Sequence, residues 1–88
     1  MLEETRRKID DIDSEIVTLF EKRMDAVNEI ARIKKAHNLA IFDTDREKTV
    51  IENAQNRLKN PEYKMAVAEF FQHMMQTTKT YQRQIIKK

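Results

Sequence analysis

The stretch Ile9–Ile33, IDDIDSEIVTLFEKRMDAVNEIARI, decides the fold. Ile9, Ile12, Ile16, Leu19, Ala26, Ile30 and Ile33 recur at steps of three and four, with one interruption between Leu19 and Ala26. That period is one face of an α-helix and would be incoherent in a strand. A second row, Val17, Phe20, Met24 and Val27, lies one residue over and widens the apolar face. Neither Gly nor Pro interrupts the surrounding segment, so the spacing predicts a helix from about Leu2 to His37. Asn38, which tolerates the left-handed conformation, closes it.

Outward from that helix, Thr44-x-x-Glu47 has the capping-box pattern, with Asp43 and Asp45 favouring the same helix start. This second helix has the seam Ile51, Ala54 and Leu58, with Val50 beside it, and ends at Asn60-Pro61. The same dipeptide starts a third helix, with Asn60 as N-cap, Pro61 at the first position and Glu62 in the first turn. Tyr63, Val67, Phe70, Met74, Tyr81 and Ile85 follow on one face, with Phe71, Met75 and Ile86 alongside. The expected fold is all-α, three helices in long–short–long order, forming one domain over residues 1–88.

Length turns this pattern into a statement about assembly. A first helix of such a span is about 50 Å long, whereas a compact chain of this size has a diameter of roughly 30 Å. The apolar stripe runs nearly the whole helix, so its overhang needs a cover. An intertwined homodimer supplies one, because a symmetric copy brings a matching stripe. A long hairpin that binds a different protein is the alternative.

Composition removes most chemistries. The 88 residues include no Gly and no Cys, which excludes glycine-rich phosphate loops, disulfides, thiolate zinc sites and thiol nucleophiles. His37 and His73 are far apart, so no metal site is expected. The longest unbroken apolar run is four residues, as in Met65 to Ala68, too short to cross a membrane. The charged start MLEETRRKIDD is unlike a signal peptide, and a cytoplasmic location is expected. Seventeen Lys and Arg against fifteen Asp and Glu alternate along the chain, without the basic stripe that nucleic-acid binding requires.

The informative residues are polar ones inside apolar seams. Arg23 occupies the interruption between Leu19 and Ala26, where a cation is costly unless it finds an anion or a carboxylate partner. Lys34, eleven residues on, lies about 20° around the helix from it. Glu47 falls on the second seam, next to Arg46, while Thr78 and Gln82 interrupt the third. Each has an ordinary reading: a register-setting arginine, a snorkelling lysine, a capping glutamate, a threonine bonded to its own helix. Arg6 lies in a solvated helix start, Asp43 is a cap, and His37, His73, Tyr63 and Tyr81 are read as structural. Because the seams must face one another, the group together describes a cationic pocket. It suits a small polyanion and a reaction needing only positioning and charge stabilisation.

The order Arg6-x-x-Ile9-x-x-Ile12-Asp13, Leu19-x-x-x-Arg23, Ile33-Lys34, Asp43-x-Asp45-Arg46-Glu47 and Thr78-x-x-x-Gln82 resembles the all-helical chorismate mutases in their short, monofunctional form. The resemblance covers nearly the whole chain. It implies an intertwined dimer that converts chorismate to prephenate in aromatic amino acid biosynthesis, with no cofactor. By position it implies that Arg23, and Arg6 from the partner subunit, hold the two substrate carboxylates. Lys34 and Gln82 would bond the ether oxygen of the breaking bond. Glu47 and the backbone at Asp43 would meet the ring hydroxyl, and Arg46 and Thr78 would lie near the ring carboxylate. The family more often has Ser where Thr78 stands, and Gly and Pro in the joint that reads Asn38-Leu39-Ala40-Ile41 here. An isochorismate-pyruvate lyase on the same scaffold, or a non-catalytic helical dimer that binds a partner protein, are the competing readings. Arg23, Glu47 and Thr78 on apolar faces speak against a pure scaffold.

Overall fold

The computed structural model describes residues 1–87. Helix α1 spans Leu2–Ala36, α2 spans Thr44–Arg57 and α3 spans Lys64–Lys87, with a 3₁₀ turn at Pro61–Tyr63 leading into α3. The class and the long–short–long order follow the periodicity of the apolar residues. Among the described residues, no helix is long and apolar enough to cross a membrane.

Glu3 and Glu4 in the first turn of α1 and Lys34 and Lys35 in the last complement its dipole. Its end is a Schellman motif. Asn38 has φ 54°, the amide of Leu39 donates to Lys34 O at 2.8 Å, and that of Asn38 to Lys35 O at 3.4 Å. Asn38 thus does the work of the glycine usual at such a position, because its short polar side chain is tolerated in the left-handed region.

The start of α2 departs from the capping box. Asp43, not Thr44, is the N-cap: its backbone is extended and its carboxylate accepts from Arg46 N at 3.0 Å. Thr44 is therefore the first helical residue, one position too late to cap, and Glu47 is left free for another partner. The helix also ends before Asn60-Pro61, since Leu58 is already extended and serves as the C-cap. Asn60 does cap the next element, accepting from Glu62 N at 2.9 Å, but the first turn after Pro61 is 3₁₀. Tyr63 belongs to that turn and is exposed, rather than lying on a buried face of α3.

Helices α1 and α2 both pack on α3. The buried apolar residues are Val27 and Ala31 of α1, Ala54 of α2 and Met75 of α3, and two polar residues of α3, Thr78 and Gln82, are buried with them. This core occupies one end of the molecule. The N-terminal half of α1 runs on beyond it, with Ile9, Ile12, Ile16 and Leu19 exposed, and Phe70 of α3 is exposed too. The Cα radius of gyration is 15.8 Å and the principal extents are 53 × 25 × 15 Å, against about 12 Å for the radius of a compact chain of this length. The chain exposes 7623 Å², whereas the size scaling of folded monomers gives about 5,500 Å² for its mass. The exposed apolar face of α1 contributes to that difference.

Candidate active site

A cleft of about 150 Å³ opens where the three helices meet. Arg23, Val27, Ile30 and Lys34 line it from α1, each one turn after the last. The joint and α2 contribute Ile41, Asp43, Arg46, Glu47 and Val50, and α3 contributes Met75, Thr78, Lys79 and Gln82. Of the eight residues singled out in the sequence, seven thus come together. Arg6 does not. It is exposed on α1, seventeen residues and therefore about 25 Å along the helix from Arg23.

Arg23 is held by Thr78: its guanidinium donates to Thr78 Oγ1 at 3.0 Å. The same hydroxyl donates to Met74 O at 2.9 Å, so the ordinary reading of Thr78 is correct and also incomplete. Bonding its own helix fixes the hydroxyl's proton and turns its lone pairs to the arginine. Burial first, and the Arg46 guanidinium second, push Arg23 below the ordinary arginine range. An arginine nonetheless remains a cation throughout the range in which proteins operate.

Lys34 donates to Ile41 O at 2.9 Å. Its ammonium carries three protons, so this bond orients the group and leaves others for the cleft. Gln82, 4 % exposed, makes no side-chain hydrogen bond to another described residue, and no side-chain polar atom among the described residues is both sealed and unpartnered. Its amide therefore opens to the cleft with its hydrogen-bonding capacity unspent. Tyr81, its neighbour in sequence, donates to Asn28 Oδ1 at 3.2 Å, a structural contact between α3 and α1.

Glu47 pairs with Lys79, whose Nζ lies 3.1 Å from Oε2 and 3.5 Å from Oε1. Lys79 also sits 4.4 Å from the centre of the Phe42 ring, within cation–π range. Sequence reasoning passed over Lys79 and Phe42. A signal for the first existed, because one turn on from the buried Met75 is Lys79, and Gln82 follows three residues later. The cleft therefore holds Arg23, Lys34, Arg46 and Lys79 against the carboxylates of Asp43 and Glu47, one used as a helix cap and the other paired. Among the described residues no group of three or more His, Asp or Glu side chains gathers to hold a metal.

Comparison with known proteins bears on what such a cleft is for. Residues 5–83 match the family described as chorismate mutase type II. The chain belongs to that family. It is 30% identical over 87 residues to the chorismate mutase of Methanocaldococcus jannaschii, an alignment covering 97% of this chain and 87% of that protein. It is 37% identical over 46 residues to the T-protein of Haemophilus influenzae, covering 52% of this chain but only 12% of that longer protein. No solved structure matches significantly.

The Arg23–Thr78 contact generates a stability prediction. Thr78→Val removes the acceptor from a part-buried cation, at a cost of about 1–3 kcal/mol, while Thr78→Ser keeps the hydroxyl and loses a methyl. Urea unfolding should show a clearly lower midpoint for the valine variant and a much smaller change for the serine one. Equal loss in both would mean that packing, not the hydrogen bond, matters at this position.

Proposed function

We propose that the cleft rearranges chorismate to prephenate, as an intramolecular isomerisation in aromatic amino acid biosynthesis. The observation that carries the proposal is the convergence of Arg23, Lys34, Arg46, Glu47, Thr78 and Gln82 on one cleft of a chain in this family. In this reaction an ether C–O bond breaks as a C–C bond forms within the same molecule. No proton is transferred and no nucleophile is needed. What a protein contributes is a folded substrate conformation and donors aimed at the ether oxygen, where negative charge develops.

The roles follow from the chemistry of each side chain. Arg23 and Arg46 offer planar donor forks that suit carboxylates, and Thr78 fixes the direction of the first. Lys34, steered by Ile41 O, and Gln82, with its amide unspent, are the donors for the ether oxygen. Glu47 and the backbone at Asp43 take the ring hydroxyl. Arg6 joins a cleft only from a second copy of the chain. An antiparallel pairing of two α1 helices that sets the partner subunit's Arg6 beside Arg23 also brings Ile9 of one copy level with Phe20 of the other. The excess exposed surface of each chain, about 2,000 Å² over the scaling value, is of the size that obligate dimers bury.

Three outcomes test this reading. Purified protein should consume chorismate, followed by its ultraviolet absorbance, with prephenate as product, and Arg23→Ala should lose at least about 100-fold in kcat/KM while remaining helical. Cleavage of isochorismate in place of chorismate turnover would make the protein a lyase, and silence on both would leave a binding protein. Sedimentation should give about 21 kDa, twice the 10.6 kDa of one chain; a monomer at assay concentration would remove Arg6 from the site. Finally, Gln82→Glu can donate only when protonated, so its activity relative to the parent should rise as pH falls, whereas the parent amide donates at any pH. A uniform loss across pH would count against Gln82 as an ether-oxygen donor.

A further inference from the structure

Glu47 raises a question that the proposed reaction leaves open. Its carboxylate stands in the same cleft as the Arg23 and Arg46 guanidiniums, and Arg46 is its neighbour in sequence. Either arginine offers a bidentate partner that a carboxylate ordinarily prefers. Such a pair would fill the anion site with the protein's own carboxylate and compete with a carboxylate-bearing substrate. The structure has a different arrangement. Glu47 is bound to Lys79, 3.1 Å away across the α2–α3 contact, and Arg23 is bound to a neutral hydroxyl. Lys79 is itself constrained, since its ammonium rests on the Phe42 ring and its side chain is only 14 % exposed.

We infer that Lys79 is a positioning residue that sequesters the Glu47 carboxylate from Arg23 and Arg46, keeping both guanidiniums open to the substrate's carboxylates. The inference rests on the chorismate mutase reading of the cleft and adds to it a residue that controls substrate affinity without touching substrate. A lysine suits the task better than an arginine would. A point charge on a flexible stem can sit on an aromatic face and hold one carboxylate without presenting a planar fork to a second anion. It also leaves Glu47 fixed in direction, with lone pairs to spare for a hydroxyl.

The test is a double-mutant cycle on the full chain, reading KM and kcat for chorismate separately. Lys79→Met keeps the stem and removes the charge, freeing Glu47 to pair with an arginine, so KM should rise about tenfold with a smaller change in kcat. Adding Glu47→Gln removes the competing carboxylate, so the double variant should have the KM of Glu47→Gln alone, within about twofold. Lys79→Arg should keep KM within about threefold of the parent. Circular dichroism checks each fold, and Lys79→Gln, with the same expected pattern, replaces the methionine variant if that one does not fold. KM increases that multiply in the double variant would mean that Lys79 contacts substrate directly and would overturn the inference. So would an unchanged KM in Lys79→Met. Absence of chorismate turnover in the parent protein would overturn the underlying reading as well, and is recognised before any variant is made.

Discussion

A cation half-buried in an apolar helix face is the constraint on which this molecule turns. Arg23 interrupts the seam of α1 at the level where α3 packs, and a guanidinium there must find acceptors or be expelled to water. The chain offers one neutral acceptor, Thr78 Oγ1, and no carboxylate among the described residues. The charge is thus oriented without being neutralised. The groups nearby are consistent with keeping it so: Thr78 is pinned by its own helix backbone, the Asp43 carboxylate accepts from the Arg46 amide, and Glu47 is drawn off by Lys79. A part-buried positive region with its carboxylates otherwise engaged is stable only to the extent that the rest of the fold supports it, and it is primed for an anion.

That arrangement explains the division of labour between the two halves of α1. Its C-terminal half, with Val27 and Ala31 buried, forms the core with α2 and α3 and shapes the cleft. Its N-terminal half contributes no buried residue but carries the apolar stripe and Arg6. One helix therefore serves as wall of the site at one end and as an open apolar surface at the other.

Much of this was legible in the residues, for reasons that differ by element. The helical period of Ile9–Ile33 survives any tertiary arrangement, because it reflects which side of a helix avoids water. Asn38 and Asn60-Pro61 were readable because they act locally, through backbone conformation. Arg23, Thr78 and Gln82 stood out as errors in an otherwise apolar pattern. The N-cap of α2 was not settled by pattern, since Asp43 and Thr44 are both good caps, and the geometry that chooses Asp43 is set by the incoming joint. Lys79 was missed because a lysine on a charged chain looks like solvent-facing surface. Its burial comes from Phe42 and Glu47, which approach from other elements. Leu58 and Tyr63 mark the same limit, as apolar and aromatic residues in helical register that end up at the ends of elements.

The bond from Lys34 to Ile41 O ties the last turn of α1 to the joint, and the Schellman turn at Asn38 and the cap at Asp43 fix the joint at either end. The seven residues between Ala36 and Thr44 thus work as a gauge block whose length sets where an ammonium group stands. The link between α2 and the 3₁₀ turn carries no such duty, as it contributes no residue to the cleft. Insertions and deletions should accordingly accumulate around Lys59 in the lineage of this protein, while the segment from His37 to Asp43 keeps its length even where its composition drifts.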